Sequence, residues 1–328
     1  MHRLVLIGAL VVVAECWGRG PLVRTAVTRS PEIVVAEFAQ AGALECPDRT
    51  SRLCKRRVRV RILRVLKDAV GLGAPPEPFE LDIPVYSGDS QGDEGNIWTD
   101  LDLRDGAQYL LIAGGHPATF AGVVGSALTL EPVTPEADPT ADVQSILGIS
   151  DLSAVQQAQT LAGSIMSAQS PHGRLLTQYV AELLRIGNPG ETSSLAQALE
   201  SAPENAFSDE GRAALLGGLR DAAIEARRQE LDRLLFSLTA RYFLIDPDPH
   251  PKPSNRLVGA DKLSLTQSEI LANIVPWMVN QKLGQTFSTS LPTPLRQRLE
   301  AKLALLLSDP QVWYRDQMSQ FTTLMGDH

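Results

Sequence analysis

Apolar and polar residues alternate along Lys55 to Lys67, KRRVRVRILRVLK, with Val58, Val60 and Ile62 on one side and Arg57, Arg59 and Arg61 on the other. That period of two predicts a half-buried strand. After Leu63 the phase slips by one residue, which a β-bulge would absorb while bending the strand. Val58, Ile62, Val65 and Leu66 also satisfy helical spacing, but β-branched residues dominate and favour the strand. Glu77 to Tyr86, EPFELDIPVY, alternates in the same way: Phe79, Leu81, Ile83 and Val85 oppose Glu80 and Asp82. If the two strands pair antiparallel through the loop from Asp68 to Pro76, their apolar sides share a core and the arginines lie beside carboxylates. Further strands are predicted over Pro31 to Ala39, PEIVVAEFA, over Tyr109 to Ala113 after an Asp105-Gly106 turn, and over Val123 to Leu130. Pro21 to Pro31 reads as a linker.

The pattern changes beyond Glu131 to Asp142, EPVTPEADPTAD, a proline-rich acidic connector taken as the domain boundary. Helical periodicity follows it. Ser170-Pro171 predicts a helix start, with Leu175, Tyr179, Leu183 and Ile186 as its apolar stripe and Gly187 as its stop. Ser208 is a cap with Asp209 and Glu210 behind it. Thr266-x-x-Glu269 has the form of a capping box leading into Ile270, Ile274 and Met278, with a kink expected at Pro276. Thr293-Pro294 and Asp309-Pro310 repeat a cap-then-proline device, and Tyr314, Met318, Phe321 and Met325 form the last stripe. Each stripe needs a partner helix, so a bundle and a short α-solenoid both fit. Asp246 to Asn255, DPDPHPKPSN, interrupts the helices as an extended surface loop.

The arrangement of the first half, a PEIVVAEFA strand, a long charged strand, an alternating strand and then Gly106, Tyr109, Leu110, Leu111, Ile112 and Ala113 with Trp98 upstream, resembles the netrin-like OB-fold. That family includes tissue inhibitors of metalloproteinases, netrin and complement C-terminal domains, and many bacterial exported proteins. The resemblance spans about Pro31 to Pro132 and implies a five-stranded barrel with a binding role. It does not carry over protease inhibition, because only a cut before Cys16 would create the mature N-terminal cysteine that chelates zinc in the inhibitors. The predicted fold class is therefore α+β and multidomain: an OB-like β-barrel over 31–132, then an all-α domain over 143–328.

Composition narrows the function. Hydrophobic residues make up 44% and charged residues 21% of the 328-residue chain, as in globular proteins, and the net charge is −8. A negative chain with 5% aromatic residues is poorly suited to nucleic acid, which recruits basic clusters and stacking platforms. Residues 1–20 read as a signal peptide: Met1-His2-Arg3 is a basic start and Leu4 to Ala14 an apolar run too short to span a bilayer. Three outcomes fit it, namely ordinary secretion, lipidation at Cys16, which would be the chain's one route to a membrane anchor, and an uncleaved or mis-started N-terminus. Loss of Cys16 would leave Cys46 and Cys54 as an even pair, expected as a disulfide in an exported, periplasmic or extracellular protein.

Candidate chemistry is sparse. Arg57, Arg59 and Arg61 allow two readings, a solvated face with its own counter-charges or a site for an anionic polymer such as an acidic glycan. Gly88-Asp89-Ser90 resembles the nucleophile block of SGNH hydrolases. A nucleophilic serine needs a histidine oriented by a carboxylate, and His250, among prolines, has the wrong spacing. Asp89, Asp93 and Glu94 suit Ca²⁺ as oxygen ligands but not in EF-hand order. His116 is expected in a turn and His172 exposed in the first turn of a helix. The sequence thus assigns no catalytic, cofactor or metal residue and no cofactor. It points to an exported, non-enzymatic binding or scaffold protein whose partner is a protein, with a serine hydrolase around Ser90 and an anion binder on the basic strand as its rivals.

Overall fold

A computed structural model describes residues 23–47, 53–86, 105–134, 138–168, 170–245, 264–308 and 315–326. The expected signal segment with Cys16, the stretch bearing Gly88, Asp89, Ser90, Asp93 and Glu94, Trp98, the proline-rich stretch with His250, Asp309-Pro310 and Tyr314 lie outside the described residues. The chain divides into two compact units, Met1–Ser150 and Asp151–His328.

The first unit is built on β1 (Glu32–Glu45), β2 (Leu53–Asp68), β3 (Phe79–Tyr86), β4 (Ala107–Ala113) and β5 (Ala127–Pro132). They form one antiparallel five-stranded sheet in the order β3-β2-β1-β4-β5. Strand pairing is therefore as the alternation predicts, with Val58 opposite Leu81 and Val60 opposite Phe79. Val58, Val60, Ile62, Ile83 and Val85 share one core with Val34, Ala36, Phe38 and Leu111, and Phe79 and Leu81 pack against it. The register of β2 skips Leu63 against β1, where the phase slip predicts a bulge, and skips Leu66 as well. Among the described residues β3 and β5 stay unpaired on their outer sides, so the sheet is open and the expected barrel closure is not formed.

Two elements differ from the sequence expectation. Val123 does not begin a strand: α2 (Phe120–Gly125) precedes β5, because Thr119 accepts the Gly122 N–H on its side chain and buries Phe120, Val123 and Val124 against the sheet core. The linker before β1 holds a seven-residue helix, α1 (Val23–Arg29), whose last carbonyls, Val27 and Thr28, accept from Lys67 Nζ. At this end the sheet is buried on both faces. Ile33, Val35, Leu110 and Ile112 are fully buried on the side away from Val34 and Leu111. There α3 (Pro139–Ile149) packs on β2 and α1 on α3, which places α3 in the sheet unit.

The second unit is helical: α4 (Ala154–Met166), α5 (Arg174–Ile186), α6 (Pro189–Ser201), α7 (Asp209–Ala226), α8 (Gln229–Phe243), α9 (Leu265–Glu269), α10 (Val275–Asn280), α11 (Gly284–Ser290), α12 (Thr293–Leu307) and α13 (Arg315–Gly326). Each of α4 to α7 packs against the helix two further along the chain: α4 on α6, α5 on α7, α6 on α8 and α7 on α9. The α5–α7 pair runs parallel. A Cβ at Gly211, early in α7, would stand 2.6 Å from the His172 carbonyl just ahead of α5, and one at Gly218 2.6 Å from Ala181 Cβ. Arg185 and Glu225 then pair at 2.7 Å near the two C-terminal ends. Glycine is what lets these backbones approach so closely.

Helix ends depart from the expected ones for visible reasons. The helix expected from Ser170-Pro171 starts at Arg174, because His172 is held extended, its N–H donating to Ala206 O at 2.8 Å and its carbonyl accepting from Ser208 N–H at 3.0 Å. Of its stripe, Ile186 is half exposed. The capping box belongs to Ser264 and Gln267, while the Thr266 hydroxyl donates to Asp209 Oδ1 at 2.6 Å. The Thr293-Pro294 helix is preceded by Pro292 at its cap position. Pro276 is accommodated by a widened π turn, Ile270–Ile274, immediately before it, as a residue lacking an N–H and crowding the carbonyl four back requires. Ser208 caps α7 as read, and Met318, Phe321 and Met325 are buried.

Candidate functional site

Two sequence-named groups are brought together by the described residues, the basic stripe and the cysteine pair. β2 aims Arg57, Arg59 and Arg61 away from the core because Val58, Val60 and Ile62 fill it. Arg57 then meets Asp82 in a two-pronged pair, Nε to Oδ1 at 2.8 Å and Nη2 to Oδ2 at 3.2 Å. The Arg57 guanidinium holds the Asp82 carboxyl below its ordinary range. Arg61 Nη2 donates to Glu37 Oε1 at 2.7 Å, and the other Glu37 oxygen accepts from Gln108 Nε2 at 3.3 Å. Arg59 stands in register with Glu80, is exposed, and makes no ion pair among the described residues. The face therefore carries both signs in alternation across three strands.

The Cys46–Cys54 disulfide is formed, with Cα atoms 4.3 Å apart. It joins the end of β1 to the start of β2, where Cys54 is buried opposite Val85.

His116 is exposed in the irregular segment after β4. His172 is not in a helical turn but half buried ahead of α5, with Nε2 3.3 Å from Ser164 Oγ and 3.4 Å from Ser164 O. A serine–histidine contact is the start of nucleophilic chemistry only when the second ring nitrogen is oriented by a carboxylate. Here Nδ1 makes no hydrogen bond among the described residues, and the ring packs tilted on Phe207 at 6.1 Å. The arrangement ties α4 to the His172–Phe207 bridge. Ser164 has no mark in the sequence, being one small residue in an amphipathic helix.

Sequence reading also misses a small pocket in the helical unit, of about 70 Å³, walled by Glu204, Arg241, Tyr242, Ile245, Leu295 and Arg298. That volume suits about two waters. Arg241 is already engaged, donating to the carbonyls of Leu199, Glu200 and Ala202 at the end of α6. Burial pushes the Tyr242 hydroxyl up to about 12, so it stays protonated. Among the described residues no three or more His, Cys, Asp or Glu side chains are placed to hold a metal ion, and no helix is long and apolar enough to cross a membrane. No protein-family model, curated protein or solved structure matches the chain.

Proposed function

We propose that the chain is an exported, non-enzymatic binding or scaffold protein in which a netrin-like barrel precedes a short α-solenoid. The observation that carries this reading is the packing of each of α4 to α7 against the helix two places on, with α5 and α7 parallel. Stacking of that kind leaves extended faces instead of closing on a single centre, and such faces are how solenoids engage other proteins. For the first unit, the order β3-β2-β1-β4-β5 with β3 and β5 outermost among the described residues supports this reading, since closing that one seam would make a five-stranded barrel and OB-folds are partly open barrels. The disulfide supports an oxidising compartment.

The test is cross-linking and capture from the envelope fraction of the producing cell with the full chain as bait. A protein cross-linked to α4–α9 is the expected result. Covalent labelling of Ser90 by a serine-reactive phosphonate, lost in Ser90→Ala, would replace this reading with the hydrolase. Retention on heparin that falls steeply with salt and disappears when Arg57, Arg59 and Arg61 are all replaced would replace it with the anion binder. The mass of the mature N-terminus decides whether residues 1–20 are removed.

A further inference from the structure

Glu32 is the first residue of an otherwise apolar strand start, and it is fully buried. Its Oε1 accepts the Val70 N–H at 2.9 Å, whereas the equally buried Oε2 has no hydrogen-bond partner. The residue in register with it across the ladder is Asp68, the last of β2. Asp68 accepts three backbone donors and keeps room on Oδ2 for one more: Oδ1 accepts from Gly71 N–H at 2.7 Å and Leu72 N–H at 2.8 Å, and Oδ2 from Gly73 N–H at 3.1 Å. Gly71 and Gly73 reach it through left-handed backbone, φ 80° and 81°, which L side chains resist. The turn after β2 is thus wound around one carboxylate, with a second carboxylate buried beneath it.

Of the charged groups nearby, Lys67 pulls Glu32 back toward its ordinary value, but less than burial and Asp68 push it up. Lys67 has its Nζ on the Val27 and Thr28 carbonyls, at 3.2 and 2.6 Å. The Ser30 hydroxyl donates to the backbone oxygens of Glu32 and Ala113. Arg29, at the end of α1, is exposed, and β4 presents only Ile112 and Ala113 at this level. A buried carboxylate oxygen with no donor is costly. A protonated one becomes a donor itself, and Asp68 is the acceptor beside it.

We infer that Glu32 and Asp68 share one proton, and that this proton is a latch holding the turn from Ala69 to Gly73 against β1. Ionising Glu32 would set its buried charge against that of the exposed Asp68 carboxylate and release the turn. Burial, and then the Asp68 carboxylate, raise Glu32 above its ordinary value of 4.5, while the Gly73 and Leu72 N–H groups hold Asp68 below its own 3.8. The sign follows. The stabilisation from Glu32 is complete below 4.5 and is lost as pH rises through its folded value, whereas that from Asp68 is present above 3.8 and is lost as pH falls.

Amide exchange of the peptide spanning residues 69–73 tests this in the full chain, followed by mass spectrometry as pH is raised and corrected for intrinsic exchange. In the wild type, protection is expected to fall about tenfold per pH unit from 4.5 up to the pH at which folded Glu32 ionises, the slope of one linked proton, and to level off above it. Glu32→Gln keeps an acceptor for Val70 and a permanent donor for Asp68, so its protection is expected to stay flat over the same range. The same slope in both proteins would overturn the latch. Should the variant not fold, isotope-edited infrared titration of the wild type decides: a buried glutamic acid persisting well above 4.5 supports the latch, and one ionising at or below that value removes it.

Discussion

The two units differ in how they use their most prominent arginines, although Arg185 of the helical unit also meets a carboxylate, Glu225. In the sheet unit Arg57, Arg61 and Arg64 keep 57%, 56% and 48% of their side chains exposed and meet the carboxylates of Asp82, Glu37 and Asp138. In the helical unit Arg212 and Arg228 keep only 12% and 18%, and their main partners are backbone carbonyls. Arg228 donates to Gly187 O at 2.7 Å and to Leu184 O at the end of α5, Arg241 to three carbonyls at the end of α6, and Arg212 to Phe207 O at 2.8 Å. Exposed ion pairs gain little, because water and salt screen them. A helix end offers carbonyls with no intrahelical partner and a partial negative charge, so a half-buried guanidinium there satisfies several groups at once. Arg57 and Arg61 thus decorate the sheet, whereas Arg228 and Arg241 fasten helix ends.

Four changes would break or sharpen that contrast. The largest concerns the apolar side of the sheet: Phe38, fully buried and edge-on to Tyr109 at 6.1 Å, should lose about 3–5 kcal/mol on replacement by Ala, read by urea denaturation. Were the charged face to match that loss, the contrast would fall. Next, Arg228→Ala should cost about 1.5–3 kcal/mol, the range for hydrogen bonds to charged groups. Arg228→Lys should recover only part of it, since a point charge cannot span the Leu184 and Gly187 carbonyls. Reducing Cys46–Cys54 should cost roughly 2–3 kcal/mol in the chain-entropy model, closing a short loop, seen as lower stability by a probe in the sheet. The smallest is Arg57→Ala or Arg61→Ala, each expected to move the urea midpoint least of the four and less still in high salt, because both ion pairs are exposed. A loss equal to that of Arg228→Ala would show that the stripe is structural.

What the sequence made legible was short-range and periodic. The alternation of Val58, Val60 and Ile62 against Phe79, Leu81, Ile83 and Val85 led directly to the shared core, and the slip at Leu63 to a bulge. The helix at Phe120 was hidden because two valines and a following alanine read equally well as a strand until Thr119 is seen as a cap. The start of α5 was hidden because the bridge that delays it joins His172 to Phe207, far along the chain. The same distance hid the fastenings: Arg228 lies 41 residues from Gly187, and no local pattern marks a donor for a remote helix end. Glu32 was legible only as one polar residue at a strand start, since its burial depends on α1 and on the turn after Asp68. The disulfide needed only two cysteines and an oxidising setting.

The binding-module reading rests on α5 and α7 lying side by side and pointing the same way. Oxidative cross-linking of paired cysteines tests this directly, comparing Arg185→Cys/Glu225→Cys with Arg174→Cys/Glu225→Cys and locating the links by mass spectrometry. The stacked arrangement predicts a rapid link between 185 and 225, where the native side chains are 2.7 Å apart, and none between 174 and 225. A link between 174 and 225 in place of the first would mean an antiparallel pair and would contradict the account.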